Sequence, residues 1–572
     1  MAEVAEQPEE THSDTSKLRT FLGILKKFIG VSDLATVRFS LPSQLLEPTP
    51  NLEYWNYLDA PNTFVAIGTS DEPLGRMLEV LRFWFTKDLK YAKGRPCKPY
   101  NSCLGEFFRC NWDAEDNAPL IDPIALPGGS ESGGSSTRGS SGDSNSGRSS
   151  TKGATAANND VANGASSASS VKSARSVGST KSGSKNGAKA AAGSSTKGTS
   201  GTSTPASSSA AKPSTTPVNL SVPQTGSNPA NPTVRVTYLT EQTSHHPPVS
   251  AFFISCPERG LHARGFDQIT AKFTGTSIKV IPGEHNLGIF ITVERRGDDD
   301  GDKDDKNEGK GQSETYQLTH PAAHLGGLLR GALSISVGDV AYVTCPETGL
   351  KAILQYYDAG GWLGRSTNLV DGVIFRYDPA NPDAAPNRIQ DVPAADVLAR
   401  LHGAWKEKIV FTLGGKPLAL HPAEHQTTLI DLGPLSVAPK TLPPDDAQRA
   451  NESLQLWGPV TRAIHAKQFA RATALKQQLE ERQRESARAR ARTGAAWQPV
   501  FFAQVTGNGG KPVLTDKGRQ VLERAQRGDW SLDGILEGAS SLDEALPTGA
   551  AVEGADADAG DDAAETSAGA PS

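Results

Sequence analysis

Three groups of residues in this 572-residue chain have types and spacings suited to holding a phosphate. His245 and His246 are adjacent within Glu241-Gln-Thr-Ser-His-His-Pro-Pro-Val-Ser-Ala251. On an extended chain neighbouring side chains point to opposite faces, a poor arrangement for two ligands of one metal. If the chain turns there, as the two following prolines encourage, both imidazoles reach one anion. Either ring nitrogen can then donate, and protonation adds charge. Lys98 stands beside a Pro-Tyr-Asn turn, just before an apolar segment. Lys476, Glu480 and Arg484 are spaced i, i+4, i+8. Four residues advance a helix by roughly 400°, so these three form one slowly drifting stripe. A glutamate between two cations can hold both in fixed rotamers facing a phosphate. Each group also has a plainer role open to it: a packed histidine pair, a solvated lysine, an exposed ladder of ion pairs.

The elements that must position these residues are legible in outline. Met1–Ser16 has five acids and no Lys or Arg and reads as a disordered leader. Leu18, Phe21, Leu22, Leu25, Phe28 and Ile29 then recur at helical spacing among lysines and an arginine, predicting a short basic amphipathic helix. Such a helix serves either as a core-facing element or as a movable lid that touches membranes. A helix is expected near Leu74–Leu89, and the Glu106–Glu115 stretch reads as core strand. From Asp113 to Asn231 the chain is rich in Ser, Gly, Ala and Thr, a composition that cannot offset its own ordering entropy and predicts an inserted disordered segment.

Short strand-like runs follow at close intervals from Val234 to Tyr377, among them Ala271–Ile281, Ala332–Val337 and Ala341–Cys345. That density predicts an antiparallel sheet or barrel, not βαβ units. Asp446–Gly494 reads as helical and Ala539–Ser572, with eight acids and no base, as a disordered acidic tail. The expected divisions are therefore 1–16, 17–112, 113–231, 232–538 and 539–572.

Composition excludes several classes. The net charge of −6 argues against a general nucleic-acid binder. It is an average over unlike segments: the leader, the 113–231 segment, the acidic Gly297–Gly311 loop and the tail together carry −14, leaving +8 on the rest. A body of that sign suits anionic membrane surfaces. Five cysteines without a CxxC pair fit a reducing compartment and neither a disulfide framework nor a zinc site. No run of about 18 apolar residues is present, and the acidic start is unlike a signal peptide, so a cytoplasmic protein is expected. Neither a GxSxG elbow nor an HExxH motif occurs, so no catalytic residue, metal or cofactor is assigned.

Taken together the motifs resemble one family. Glu241–Ala251 is similar to the Glu-Gln-x-Ser-His-His-Pro-Pro fingerprint of the oxysterol-binding protein family, and Lys98-Pro-Tyr-Asn…Leu104-Gly-Glu-Phe to its Lys-Pro-x-Asn-Pro-x-Leu-Gly-Glu, with Ser102 in place of the second proline. The Lys476/Glu480/Arg484 stripe and the following Gly494-Ala-Ala-Trp-Gln extend the resemblance, which spans about Lys17 to Asp533. It implies an α+β fold: an incomplete antiparallel β-barrel around an apolar tunnel, with an N-terminal helical lid and a C-terminal helical region. The family exchanges lipids between membranes, and many members bind phosphatidylinositol 4-phosphate. On that basis Lys98, His245, His246, Lys476 and Arg484 take the head-group phosphate. Asn101 matches a head-group asparagine, Glu480 supports its neighbouring cations, and the Leu18–Ile29 helix is the lid.

The expected activity is lipid transfer without bond breakage. The cargoes are phosphatidylinositol 4-phosphate and a second lipid, sterol by family default. Leu41-Pro-Ser-Gln-Leu-Leu-Glu-Pro48 is similar to a segment of members that carry phosphatidylserine, which keeps that lipid in play. A phosphoinositide or sterol sensor without net transport is the alternative class. Action would be peripheral and transient at cytosolic membrane surfaces, including membrane contact sites.

Overall fold

Strand β1 (Phe107–Glu115) and strand β2 (Thr233–His245) pair antiparallel in unbroken register, Phe107 opposite Glu241 and Glu115 opposite Thr233. Their alternation serves two cores at once. Phe108, Cys110, Trp112 and Ala114 face one side with Val234, Val236 and Tyr238. On the other side Phe107 joins Leu239, Phe266 and Phe501. The remaining outward positions are polar but paired: Arg109 with Glu452 at 3.0 Å, and the Asn111 amide donating to the Ala525 carbonyl at 2.7 Å. A strand buried on both faces reads as a near-continuous apolar run with a few satisfied polar groups.

The described residues of this computed structural model are 46–93, 98–123, 233–294, 313–327, 334–361, 364–494 and 496–536, with isolated positions between 23 and 43. All fall in one of the two units into which the chain divides, Met1–Gly133 with Val218–Ser572. The leader, the lid positions Leu18, Phe21, Leu22, Leu25, Phe28 and Ile29, residues 124–232, the Gly297–Gly311 loop and the acidic tail lie outside the described residues.

From β2 the sheet continues through β3 (Pro248–Cys256), β4 (Leu261–Asp267), β7 (Ile289–Val293), β8 (Glu314–Leu318), β10 (Ser334–Cys345), β11 (Leu350–Gly361), β12 (Gly364–Arg376), β13 (Val397–Ala404), β14 (Lys408–Leu413) and β15 (Thr427–Asp431). A side branch of β5 (Ile269–Phe273), β6 (Ile278–Pro282) and β9 (Ala322–Gly326) joins the first half of β10. Every strand pair is antiparallel, and β1 and β15 stand at opposite ends of the order without pairing, so the sheet does not close. The outer edge of β1 is covered by the chain that follows β15: Asn111 and Thr441 exchange both backbone hydrogen bonds. A covered edge cannot template pairing with another chain.

Helices occupy both sides. Helix α1 (Pro61–Val65) and helix α2 (Pro73–Thr86) share the largest core with the sheet, burying Phe64, Leu78, Leu81, Phe83 and Trp84. Proline opens each, where its missing N–H costs nothing. Two charged residues of α2 are buried and held: Arg76 pairs with Glu314 through Nε at 2.8 Å, and the Glu79 carboxylate accepts the Gly68 N–H at 2.9 Å. After β15 come α3 (Ser453–His465), α4 (Phe469–Thr493) and α5 (Asp516–Gln526). None of the helices among the described residues is long and apolar enough to cross a membrane.

An open antiparallel sheet with helices before and after it is the expected fold class, with four differences in detail. Ala271–Ile281 is two strands, β5 and β6, folded at Thr274–Ser277, where Gly275 takes φ +93°. Ala332–Val337 and Ala341–Cys345 are one strand, β10, which passes through Asp339 at φ +64°. Strand β1 runs to Glu115, three residues past the expected boundary at 112, because its pairing with β2 continues to Thr233 and Ala114 joins the core beside Val234. The predicted helix near Leu74–Leu89 ends at Thr86, whose hydroxyl caps the Arg82 and Phe83 carbonyls.

Candidate functional site

The first half of the site is built where β1 begins. Lys98–Asn101 precedes the strand, and the Glu47 N–H donates to the Lys98 carbonyl at 2.9 Å. Tyr100 is fully buried, stacked on Trp457 at 4.6 Å between centroids, so the turn is anchored to α3 through an aromatic ring. Gly105 then turns with φ +78°, and a Cβ there would stand 2.6 Å from the Trp497 ring. Only glycine meets both demands without strain. The next residue, Glu106, is buried and gathers three donors: the Cys103 N–H at 2.8 Å, the Ser453 hydroxyl at 2.7 Å and the Trp457 indole at 3.1 Å. Burial nevertheless pushes its carboxyl up to about 7.

These bonds place the lysine. Lys98 Nζ donates to Asn101 Oδ1 at 2.7 Å, and the Pro99 carbonyl lies at 3.4 Å. Loss of water, then the charge of Lys476, pulls the ammonium down to about 8. The site therefore brings Lys98 and Lys476, 378 positions apart in sequence, into one electrostatic field.

Lys476 comes from α4. Its face of Ala472, Lys476 and Leu479 is buried, as a helical stripe packing on Tyr100 and Cys103 requires. Lys476 Nζ meets Glu480 Oε1 at 2.8 Å, and Glu480 Oε2 lies 3.5 Å from Arg484. The spacing of the stripe is realised, with one addition: Arg484 also donates to Glu481 at 2.7 Å. Arg484 is half-exposed while Lys476 is buried, so the stripe climbs out of the protein.

The histidines come from the β2–β3 hairpin. Strand β2 ends at His245, the chain turns through a cis His246–Pro247 bond, and β3 starts at Pro248. Of the two geometries open to an adjacent pair, the turning one is found. Both side chains are exposed with ring centroids 4.5 Å apart. The hairpin is tied to the lysine turn by two reciprocal backbone bonds, Gly105 N–H to the Gln242 carbonyl at 3.0 Å and Gln242 N–H to the Glu106 carbonyl at 2.8 Å. Lys98 and Asn101 on a loop and Lys476, Glu480 and Arg484 on a helix are thus brought together, and the hairpin that carries His245 and His246 is joined to the same loop at Gly105 and Glu106.

Sequence reasoning assigned no role to several residues that hold this arrangement. Glu241, within the His-His fingerprint, is buried, and its carboxylate accepts the Val500 and Phe501 N–H groups at 2.8 Å each. Thr243 donates to the Val505 carbonyl at 2.7 Å. Half of the fingerprint therefore pins the chain after α4. Sequence carried little signal for this, since Glu241 is one of many polar residues in β2; once buried, its charge needs donors. Ser43 donates to the Phe469 carbonyl at 2.8 Å and receives the Thr473 hydroxyl at 3.0 Å, which sets it against the start of α4.

No group of three metal-ligating side chains is present among the described residues. A loop and a helix bring Lys98, Lys476 and Arg484 to one end of an open sheet. A family model described as oxysterol-binding protein matches residues 20–122 and 229–530. The chain is 41% identical over 517 residues, 90% of its length and 92% of the relative's, to oxysterol-binding protein-like protein 1 of Schizosaccharomyces pombe. It is 30% identical over 269 residues to human oxysterol-binding protein-related protein 8, 46% of this chain and 25% of that one. The chain belongs to the oxysterol-binding protein family. Among solved structures, the Osh1 ORD domain in complex with cholesterol shares its fold with a TM-score of 0.50 at 15% identity, covering 92% of each chain.

Proposed function

We propose that this chain is a lipid-transfer protein that binds phosphatidylinositol 4-phosphate and exchanges it for sterol between membranes, acting from the cytoplasm and visiting membrane surfaces, including contact sites, transiently. Lys98, Lys476 and Arg484 take the phosphomonoester together with the His245–His246 pair. Asn101 orients Lys98, and Glu480 holds the two α4 cations apart. The Leu18–Ile29 helix is the lid over the cargo.

The observation that carries this reading is the state of Lys98. Its hydrogen-bond partners among the described residues are neutral, and Lys476 bears on it. Lys476 has the Glu480 carboxylate at 2.8 Å, whereas Lys98, partly stripped of water beside a second cation, is costly to keep charged unless an anion joins it. A phosphomonoester supplies that charge, and the family to which the chain belongs is named for a lipid. No step needs a bond broken. The apolar part of either cargo is stabilised by roughly 25 cal/mol for each Å² removed from water.

Phosphatidylserine is the second reading for the exchanged lipid. It is favoured by the Leu41–Pro48 segment, which reaches Lys98 through the Glu47 N–H and α4 through Ser43.

Liposome-to-liposome transfer tests the whole reading. The full chain is expected to move labelled phosphatidylinositol 4-phosphate, and His245→Ala/His246→Ala to lose at least about tenfold, the worth of one charge-assisted hydrogen bond. Binding without movement would make the protein a sensor. Competition with labelled sterol and labelled phosphatidylserine identifies the second cargo, and if neither competes there is no exchange.

A further inference from the structure

Beyond Leu479, helix α4 has no buried residue, and it is here that its charge changes. Arg482, Arg484, Arg488, Arg490 and Arg492 follow within three turns, against Glu481 and Glu485. Arg484, Arg488 and Arg492 are spaced i, i+4, i+8 and form one exposed stripe. Glu481 is shared by Arg484 and Arg488, at 2.7 and 2.9 Å. Exposed pairs within one helix are worth little, so both guanidiniums can exchange this partner for another.

The far end of the helix is fastened to the candidate site. Arg490 lies over the Trp497 indole, 5.6 Å from its centroid, and Trp497 fills the space above Gly105 between the lysine turn and β1. The arginine stripe is therefore held in a fixed relation to Lys98. Lys476, Arg484 and Arg488 rise from buried to exposed along one helix, so the basic surface continues outward from the head-group site.

We propose that Arg488 and Arg492, continuing the stripe outward from Arg484, are the surface by which this protein docks on an anionic bilayer, so that the site opens against the membrane holding its phosphorylated lipid. The inference rests on the lipid-transfer reading. Guanidiniums retain their charge at any physiological pH and take phosphate or carboxylate in a bidentate fork, which matches a plane of phosphatidylserine and phosphoinositide head groups. Each arginine near such a surface strengthens binding about fivefold, an attraction that salt weakens. A nucleic acid would satisfy the same stripe, but this one adjoins a site for a single head group, and the chain as a whole carries −6.

The test uses the full chain and the double variant Arg488→Glu/Arg492→Glu, with Arg488→Gln/Arg492→Gln as a milder form. Co-sedimentation is measured with phosphatidylcholine vesicles, with and without phosphatidylserine. Binding of a water-soluble short-chain phosphatidylinositol 4-phosphate is measured separately. Wild-type protein is expected to bind the anionic vesicles and to release them in high salt. The charge-reversed variant is expected to lose at least about tenfold on those vesicles, and the glutamine variant less, with short-chain lipid binding and thermal midpoint kept. Unchanged vesicle binding, or equal loss on neutral vesicles, overturns the proposal. So does equal loss of the short-chain lipid, which would put the arginines inside the head-group site. Tight binding of single-stranded DNA, lost in the same variant while vesicle binding persists, assigns the stripe to nucleic acid. If wild-type protein fails to bind the short-chain lipid yet docks through the stripe, the lipid-transfer reading falls and the docking surface stands.

Discussion

The charge of Lys476 bears on the Lys98 ammonium, whose hydrogen-bond partners among the described residues, Asn101 Oδ1 at 2.7 Å and the Pro99 carbonyl at 3.4 Å, are both neutral. Burial acts in the same direction, and the group is held at about 8. Lys98 is therefore largely charged at neutral pH but close to giving up its proton. An anion that binds there relieves the repulsion and fixes the proton in place.

A pH dependence of ligand binding follows. Affinity for short-chain phosphatidylinositol 4-phosphate is expected to hold up to about pH 7 and to fall about tenfold by pH 9, as the free lysine deprotonates through about 8. Lys98→Arg keeps its charge across that range, so whatever affinity it has is expected to be flat there. Calorimetric titration at three pH values checks this. Stability moves the other way: a lysine depressed in the folded state makes the fold more stable as pH rises from about 8 toward its unfolded value.

Glu106 tests whether part of the motif is architecture. Its carboxylate is the shared acceptor of Cys103, Ser453 and Trp457. Glu106→Ala strands at least two buried donors and is expected to cost about 3 kcal/mol in urea unfolding, and to weaken lipid binding as the turn that places Lys98 loosens. Burial holds this carboxyl, like those of Glu241 and Asp267, at about 7, above its unfolded value. The stability such groups contribute is complete below their unfolded values and is lost as pH rises through about 7. The thermal midpoint is accordingly expected to fall between pH 5 and pH 8, and Glu106→Gln to flatten part of that slope.

Gly105 and Trp497 are predicted to be coupled. Gly105→Ala must adopt φ +78° and set a methyl 2.6 Å from the indole, which is expected to destabilise by about 1–3 kcal/mol. Trp497→Ala removes the steric part of that cost. The double variant should therefore lose at least about 0.5 kcal/mol less than the two single losses summed. Chemical denaturation of the four proteins completes the cycle, and strict additivity would show that the indole does not press on the turn.

Much of the site was legible because its residues are specified by local spacing. Lys476, Glu480 and Arg484 share one side of any helix that contains them, whatever that helix packs against. The two prolines after His246 mark a turn. The open antiparallel sheet was visible in the density of short apolar runs, and the covalent order of helix, sheet and helix is the order found.

What local pattern could not decide is which separate pieces meet. That Lys98 feels Lys476 depends on Tyr100 stacking on Trp457 and on Glu106 gathering donors from its own turn and from a helix some 350 residues on. That the fingerprint glutamate Glu241 carries structure, while its histidines face outward, depends on backbone N–H groups at Val500 and Phe501 that have no partner until the chain folds back. The boundary past Trp112 was hidden for the same reason: Asp113–Glu115 are strand residues because β2 lies across from them and Ala114 is buried in the core. Side-chain type and periodicity are properties of short segments, and sequence alone determined those. The pairing of distant buried polar groups is set by where water is excluded, and only the tertiary structure decides that.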